Sequence, residues 1–130
     1  MIVDTSAVVA ILRCEPGWEA LREAILADPD PQMSAASAVE LYVVADDRHA
    51  PAESARVDAV LHRLRIRFVP FDETHAKLAR AAYRDYGRGS GHPAHLNLGD
   101  CYSYALAAAT GEPLLFVGRD FAATDLQPAV

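Results

Sequence analysis

Apolar residues fall into two kinds of segment along the chain. Short unbroken apolar runs cover residues 1–3 and 114–117, and Phe68, Val69 and Phe71 form a third apolar segment. Short runs of this kind are typical of strands buried in a parallel sheet. We therefore predict three main strands, and a further short strand in the tail near Leu126.

Between these runs, apolar residues recur at the spacing of helices. After Pro16, for example, Trp18, Leu21 and Ile25 share one helical face. Other helices are predicted at 5–13, from Ser34 or Ser37 to Val44, from Pro51 to Leu64, from Asp72 to Tyr86, and at 99–110. Alternating strands and helices predict an α/β three-layer sandwich, in which helices flank a central, mostly parallel sheet. We expect residues 1–130 to form a single domain.

The charge balance limits how the chain could bind nucleic acid. The 130 residues carry 12 basic and 18 acidic side chains, a net charge of −6. A protein that binds nucleic acid only by neutralising phosphates should be basic. Any such contact must therefore be local or mediated by metal ions, and the excess of carboxylates suits oxygen-preferring ions such as Mg²⁺ or Mn²⁺.

The two cysteines and the N-terminus indicate a reducing compartment. Cys14 and Cys101 lack the CxxC spacing of a zinc site, and a disulfide scaffold needs more cysteines. We expect two core thiols in the cytosol. No signal peptide and no apolar run of membrane-spanning length is evident, so we predict a cytoplasmic protein without membrane contact.

Isolated acids are the main chemical signal. Asp4, Glu40 and Asp100 are the only charges within residues 1–12, 34–45 and 96–111 respectively. Asp120 follows the apolar run at 114–117 and the turn formed by Gly118 and Arg119. Apolar segments are buried, and burying an unpaired carboxylate is costly, so each acid needs compensation.

Each acid also has a local explanation. Asp4 could cap the N-terminus of the following helix, and Ser37 with Glu40 has the spacing of a capping box. Asp100 lies in a first helical turn, where negative charge is favourable, and Asp120 could be a turn residue. None of these local roles requires the four acids to meet in space.

The predicted fold brings some of the acids together. Asp4 and Asp120 follow strands, and ligands of open α/β sheets bind at the carboxyl ends of strands. We expect the helix that begins near Asp100 to face the opposite edge unless it is long or tilted, and Glu40 has similar freedom. Four clustered carboxylates would require a divalent cation, which could clamp a phosphodiester and generate hydroxide from water.

Four segments resemble the acidic motifs of the PIN domain, in the same order and across the whole chain. They are Ile2-Val3-Asp4-Thr5-Ser6-Ala7, Ser37-Ala38-Val39-Glu40-Leu41, Leu98-Gly99-Asp100-Cys101-Tyr102-Ser103-Tyr104-Ala105-Leu106-Ala107, and Leu115-Phe116-Val117-Gly118-Arg119-Asp120-Phe121 with Thr124-Asp125. The third is the most specific. The resemblance is to the toxins of VapBC toxin–antitoxin pairs.

That resemblance implies an activity, a cofactor and partners. It implies an endoribonuclease that uses Mg²⁺ or Mn²⁺ to activate water for hydrolysis of RNA, and that acts as the toxin of a type II toxin–antitoxin system. VapC-type toxins are commonly homodimers. A VapB-type antitoxin inhibits them by laying its C-terminal segment across the active site.

The resemblance also implies a set of site residues. By motif, the catalytic and metal-binding acids are Asp4, Glu40, Asp100 and Asp120. Ser6 is expected to support them by bonding a carboxylate or a metal-bound water, and Asp125 is a candidate fifth acid. Arg119 departs from the family pattern, in which many relatives carry Asn or Asp; it could contact a phosphate or pair with an acid.

Other functions fit the sequence less well. A haloacid dehalogenase-type enzyme would have a second acid where this chain has Ser6, and a response-regulator receiver domain would need a lysine near the late strands, whereas Lys77 is the only lysine. A PIN-like module that binds RNA or protein without cleavage remains the alternative. A nuclease directed at DNA is a variant of the enzyme prediction.

Overall fold

Four short parallel strands form the central sheet of the computed structural model, which describes residues 1–130. They are β1 (Ile2–Val3), β2 (Gln32–Ser34), β3 (Arg67–Val69) and β4 (Leu114–Leu115), in the order β3-β2-β1-β4. Ile2 of β1 is in register with Gln32 on one side and Leu114 on the other. The predicted α/β class with a parallel sheet is confirmed.

Six helices cover both faces of this sheet. They are α1 (Thr5–Leu12), α2 (Trp18–Ala27), α3 (Ala35–Ala45), α4 (Pro51–Arg63), α5 (Glu73–Tyr86) and α6 (Leu98–Thr110), followed by a 3₁₀ helix at Asp120–Ala123. Successive strand residues point to opposite faces. Ile2 and Leu114 pack with α5 and α6, whereas Val3 and Leu115 pack with α1, α3 and α4. The three predicted layers follow from this division.

One strand was not predicted from the sequence. No strand was assigned to the residues of β2, and Ser34 was one of two candidate starts for the next helix; Met33 is the only strongly apolar residue of β2. Between β1 and β3, however, backbone pairing on both sides offsets the weak pattern. Two other predicted strands are longer than the observed ones. β4 ends at Leu115 rather than at residue 117, and in place of a strand near Leu126 the tail forms a single bridge between Leu114 and Pro128.

The direction of α6 corrects a second expectation. A helix that crosses between parallel strands runs antiparallel to them, so its first turn lies beside the carboxyl ends of the strands. Ser103, one turn after Asp100, accordingly donates a hydrogen bond to Asp4 at the end of β1. The expectation that Asp100 faces the opposite edge was wrong, and no unusual helix length or tilt is needed.

The cysteines depart in part from expectation. Both are free, but only Cys101 is buried, whereas Cys14 is exposed and is therefore not a core thiol. None of the six helices combines the length and the apolar character needed to cross a membrane.

Candidate active site

Asp4 joins the end of β1 to the start of α1 and is the most buried of the acids. It caps α1: its Oδ2 accepts hydrogen bonds from the Ser6 amide at 3.0 Å and the Ser6 hydroxyl at 2.6 Å. Its Oδ1 accepts a 2.6 Å hydrogen bond from Ser103 of α6. The local explanation is therefore correct for one oxygen only, since the other oxygen is held by a distant helix.

Ser6 connects the first acid to the loop that carries the last one. While its hydroxyl donates to Asp4, the same oxygen accepts a hydrogen bond from the Val117 amide at 3.0 Å. The loop after β4 is thus fixed beside the N-terminus of α1. Asp120 follows in that loop as the first residue of the 3₁₀ helix, after a turn in which Gly118 adopts a φ of 104°.

Asp100 lies in the first turn of α6 and forms a capping box with Asn97. The Asp100 amide donates to the Asn97 side chain at 2.8 Å, and the Asp100 Oδ2 accepts from the Asn97 amide at 2.9 Å. The pKa of the Asp100 carboxyl is raised to about 7, chiefly by burial; the hydrogen bond from the Asn97 amide opposes the shift, and the charges of Asp4, Asp120 and Glu40 contribute to it. All three other acids therefore lie within electrostatic reach of Asp100.

Glu40 reaches the same place from α3. The helix is capped by Ser34, whose hydroxyl accepts from the Ala36 amide, so the predicted capping box of Ser37 with Glu40 was wrong. The Glu40 carboxylate instead lies against the backbone of Gly99, where a Cβ would overlap it. Burial raises the pKa of Glu40, and the charge of Asp4 makes a smaller contribution in the same direction.

Asp125 and Arg119 lie differently from the clustered acids. Asp125 accepts a 2.8 Å hydrogen bond from the Tyr104 hydroxyl and is not among the acids that raise the pKa of Asp100. Arg119 is exposed and forms no ion pair. The structure thus places Asp4, Glu40 and Asp120 within electrostatic reach of Asp100. It links Ser6 to Asp4 and Asp125 to Tyr104.

Sequence reasoning missed the polar residues that support the acids. Ser37 lies three residues before Glu40, and Ser103 lies three residues after Asp100, in otherwise apolar helices. Residues three apart on a helix share a face. That spacing was a usable signal, because a hydroxyl one turn from an isolated acid points to the same part of the molecule.

The donor set fits a hard divalent cation in its chemistry. None of the four acids forms a salt bridge, so their mutual repulsion has no protein counterion. Carboxylate oxygens are the ligands that Mg²⁺ and Mn²⁺ prefer. As the side chains stand, no three acids converge closely enough to hold an ion, so binding requires side-chain adjustment.

Comparison with known proteins identifies the family. A family model described as PIN domain matches residues 1–126, and the chain therefore belongs to the PIN-domain family. Ribonuclease VapC42 of Mycobacterium tuberculosis is 54% identical over 129 residues, which cover 99% of this chain and 98% of the relative. Ribonuclease VapC28 of the same organism is 48% identical over 130 residues, covering 100% and 98%. Within the PIN-domain family, the chain is therefore one of the VapC ribonucleases, as the motifs predicted.

Two further comparisons agree with this placement. A Ribonuclease VapC of Mycolicibacterium smegmatis is 47% identical over 126 residues, with 97% of each chain covered. The crystal structure of Mycobacterium tuberculosis VapC20, a toxin described as cleaving the sarcin-ricin loop, superposes with a TM-score of 0.72 over 96% of this chain and 95% of that chain. At 16% identity, the latter likeness shows a shared fold.

Proposed function

We propose that this chain is a divalent-metal-dependent endoribonuclease, the toxin of a type II toxin–antitoxin pair. The observation that carries the proposal is that Asp4, Glu40 and Asp120, from three other parts of the fold, lie within electrostatic reach of Asp100 and have no cationic partner. The VapC ribonuclease relatives support RNA as the substrate. Asp4, Glu40, Asp100 and Asp120 would hold Mg²⁺ or Mn²⁺.

Each site residue has a defined task in this proposal. A divalent cation, when bound, supplies an activated water and a positive charge for the phosphate. Asp4 is held as an oriented ligand by its hydrogen bonds to Ser6 and Ser103. Ser6 supports it, and Asp125 supports α6 through its hydrogen bond with Tyr104.

The protein carries a net negative charge, so bound RNA needs local contacts that offset the repulsion of its phosphates. A cleft of about 440 Å³ opens beside Glu40 and is lined by Val39, Leu98 and Tyr102 among others. Arg119 lies beside Asp120 and has no ion-pair partner, so we propose that it contacts a phosphate of the bound RNA. Local contacts of this kind, together with a cation, would replace a general basic surface.

The partners follow from the same family placement. We propose a VapB-type antitoxin as the cytoplasmic inhibitor and a homodimer as the working form. Large apolar side chains support a protein interface near the acids: Val39, Val43 and Leu98 are 62%, 69% and 61% exposed. Exposed apolar groups of this kind often mark protein contacts. Light scattering of the purified chain would give its mass, and a monomer at micromolar concentration would contradict the dimer.

The direct test is a cleavage assay. Purified chain is incubated with tRNA, rRNA and single-stranded RNA in the presence of Mn²⁺, Mg²⁺ or EDTA, in parallel with the Asp4→Asn variant. We expect discrete products that disappear with EDTA and in the variant. RNA binding without cleavage under every condition would instead favour the non-cleaving, PIN-like binding module.

A further inference from the structure

A chain of buried hydroxyls lies beneath the acids. The Ser103 hydroxyl donates to Asp4 Oδ1 at 2.6 Å, and the Ser37 and Ser103 hydroxyl oxygens are 3.2 Å apart. Ser37 and Ser103 are 0% exposed and Asp4 is 4% exposed. Water therefore does not compete for these hydrogen bonds.

The chemistry of the groups fixes the direction of this chain. A hydroxyl has one proton to donate, and a carboxylate ligand can only accept. The Ser103 proton is therefore committed to Asp4, and Ser37 must be the donor in its contact with Ser103. The sequence of donors is Ser37 to Ser103 to Asp4, and each bond polarises and strengthens the next.

The hydroxyl of Ser103 had a local alternative. On the same helix, the Thr110 hydroxyl is satisfied by the carbonyl of Leu106 at 2.8 Å, four residues earlier. Ser103 could have used the same arrangement within α6. The need to pair a buried hydroxyl therefore does not by itself explain why Ser103 bonds Asp4, which lies outside its own helix.

The hydroxyl chain formed by Ser37 and Ser103 also joins the helices that carry the acids. Ser37 is one turn from Glu40 on α3, and Ser103 is one turn from Asp100 on α6. The Thr5 hydroxyl of α1 donates to the Ser37 carbonyl at 3.2 Å. The contacts therefore link α1, α3 and α6 beside Asp4, one turn from Glu40 on α3 and one turn from Asp100 on α6.

We propose that Ser103 is a positioning residue for Asp4, oriented by Ser37, and that this hydroxyl chain sets the spacing of the acids for a divalent cation. The inference rests on the proposed function. Neither serine touches substrate; both act through the orientation of Asp4 and the spacing of the helices. Supporting residues of this kind typically contribute roughly 10- to 100-fold to metal affinity or activity.

The test compares Ser103→Ala, Ser37→Ala, the double variant and Ser103→Thr with the full-length wild-type chain. Mn²⁺ affinity is measured by calorimetry without RNA, and kcat and KM are measured for RNA cleavage. We expect Ser103→Ala to weaken Mn²⁺ binding by roughly 10- to 100-fold and to lower kcat, with KM for RNA unchanged. The double variant should be no worse than Ser103→Ala, because Ser37 acts through Ser103.

Two variants separate positioning from packing. Cys101→Ala removes one side-chain atom from a buried residue of the same helix that bonds no acid, and it should leave Mn²⁺ affinity unchanged. Ser103→Thr keeps the hydroxyl and should restore most of the affinity. If its extra methyl group prevents folding, Ser103→Cys provides the comparison, since a thiol is a weak donor and should behave like Ser103→Ala.

The outcomes also distinguish this inference from the proposed function. If wild type binds Mn²⁺ and cleaves RNA while Ser103→Ala does both equally well, the positioning role is overturned and the nuclease assignment stands. A lowered melting temperature with unchanged Mn²⁺ affinity would likewise make Ser103 a packing residue. If wild type neither binds Mn²⁺ nor cleaves RNA, both proposals fail.

Discussion

The carboxylate of Glu40 lies directly against the backbone of Gly99, so that a side chain at position 99 would occupy its place. Gly99 is the second residue of α6, immediately before Asp100, and Glu40 projects from α3. The absence of a Cβ therefore lets acids from two helices approach each other. A glycine next to an acid in a helix, where it costs helical stability, is explained by this contact.

We predict that Gly99→Ala separates activity from stability. The added Cβ meets the flexible end of Glu40, which can rotate away without moving the backbone. Alanine is also the better helix former by about 0.5–1 kcal/mol. Cleavage should fall by roughly 10- to 100-fold, as for other changes that displace a metal ligand, while the melting temperature holds or rises.

Gly111→Ala is the matched control for this prediction. Gly111 ends α6 with a φ of 72°, and a Cβ there meets no neighbour. The left-handed backbone costs alanine about 1–2 kcal/mol, so the melting temperature should fall while the activity of the folded protein is unchanged. Equal losses of activity in both variants would mean that the Glu40 contact has no functional role.

Replacement of Asp100 tests the central acid. Asp100→Asn keeps the shape of the side chain and the acceptor for the Asn97 amide, but removes a charge from the cluster. We expect cleavage to drop by about 100-fold or more, the size of effect found when a transition-state charge contact is removed. Asp58→Asn, on α4 and bonded to Tyr42, should retain wild-type activity. Normal cleavage by Asp100→Asn would remove that acid from the proposed site.

The pKa of Asp100 predicts how pH affects the stability of the metal-free protein. In the folded chain it is raised from 3.8 to about 7, mainly by burial. Between about pH 4 and 7 the unfolded state therefore loses a proton that the folded state retains, and the free energy of unfolding falls as pH rises. Below this range the contribution is fully present, and above pH 7 it is lost.

Denaturant unfolding in EDTA at pH 4, 5, 6, 7 and 8 would measure this dependence. Wild type should lose stability relative to Asp100→Asn as pH rises towards 7, because the asparagine does not titrate. Glu40, whose pKa is also raised, should add a change in the same direction that both proteins share. A constant difference between the two proteins across this range would contradict the prediction.

The four acids were easier to single out from the sequence than the elements around them were to predict. Isolated charges in apolar segments remain visible in one dimension, because burial must compensate each charge wherever the chain folds. β2 was missed because its stability comes from backbone pairing with two neighbours rather than from its own pattern. The position of Asp100 was misjudged from the direction of α6, and the contact of Ser37 with Ser103 depends on two helices that only the fold brings together.

A divalent cation should stabilise the folded chain through the same acids. An ion that binds the folded state alone adds about 2.7 kcal/mol at 100 times its Kd, and for a chain of this length that corresponds to a rise in melting temperature of about 10 °C. We expect Mn²⁺ and Mg²⁺ to raise the melting temperature of wild type at pH 7.5, with full reversal by EDTA. Asp4→Asn and Asp100→Asn should show little of this rise, while Asp58→Asn should match wild type. An equal rise in all four proteins would place the stabilising ion elsewhere on this acidic chain, because removal of the Asp4 or the Asp100 charge would then have no effect on it.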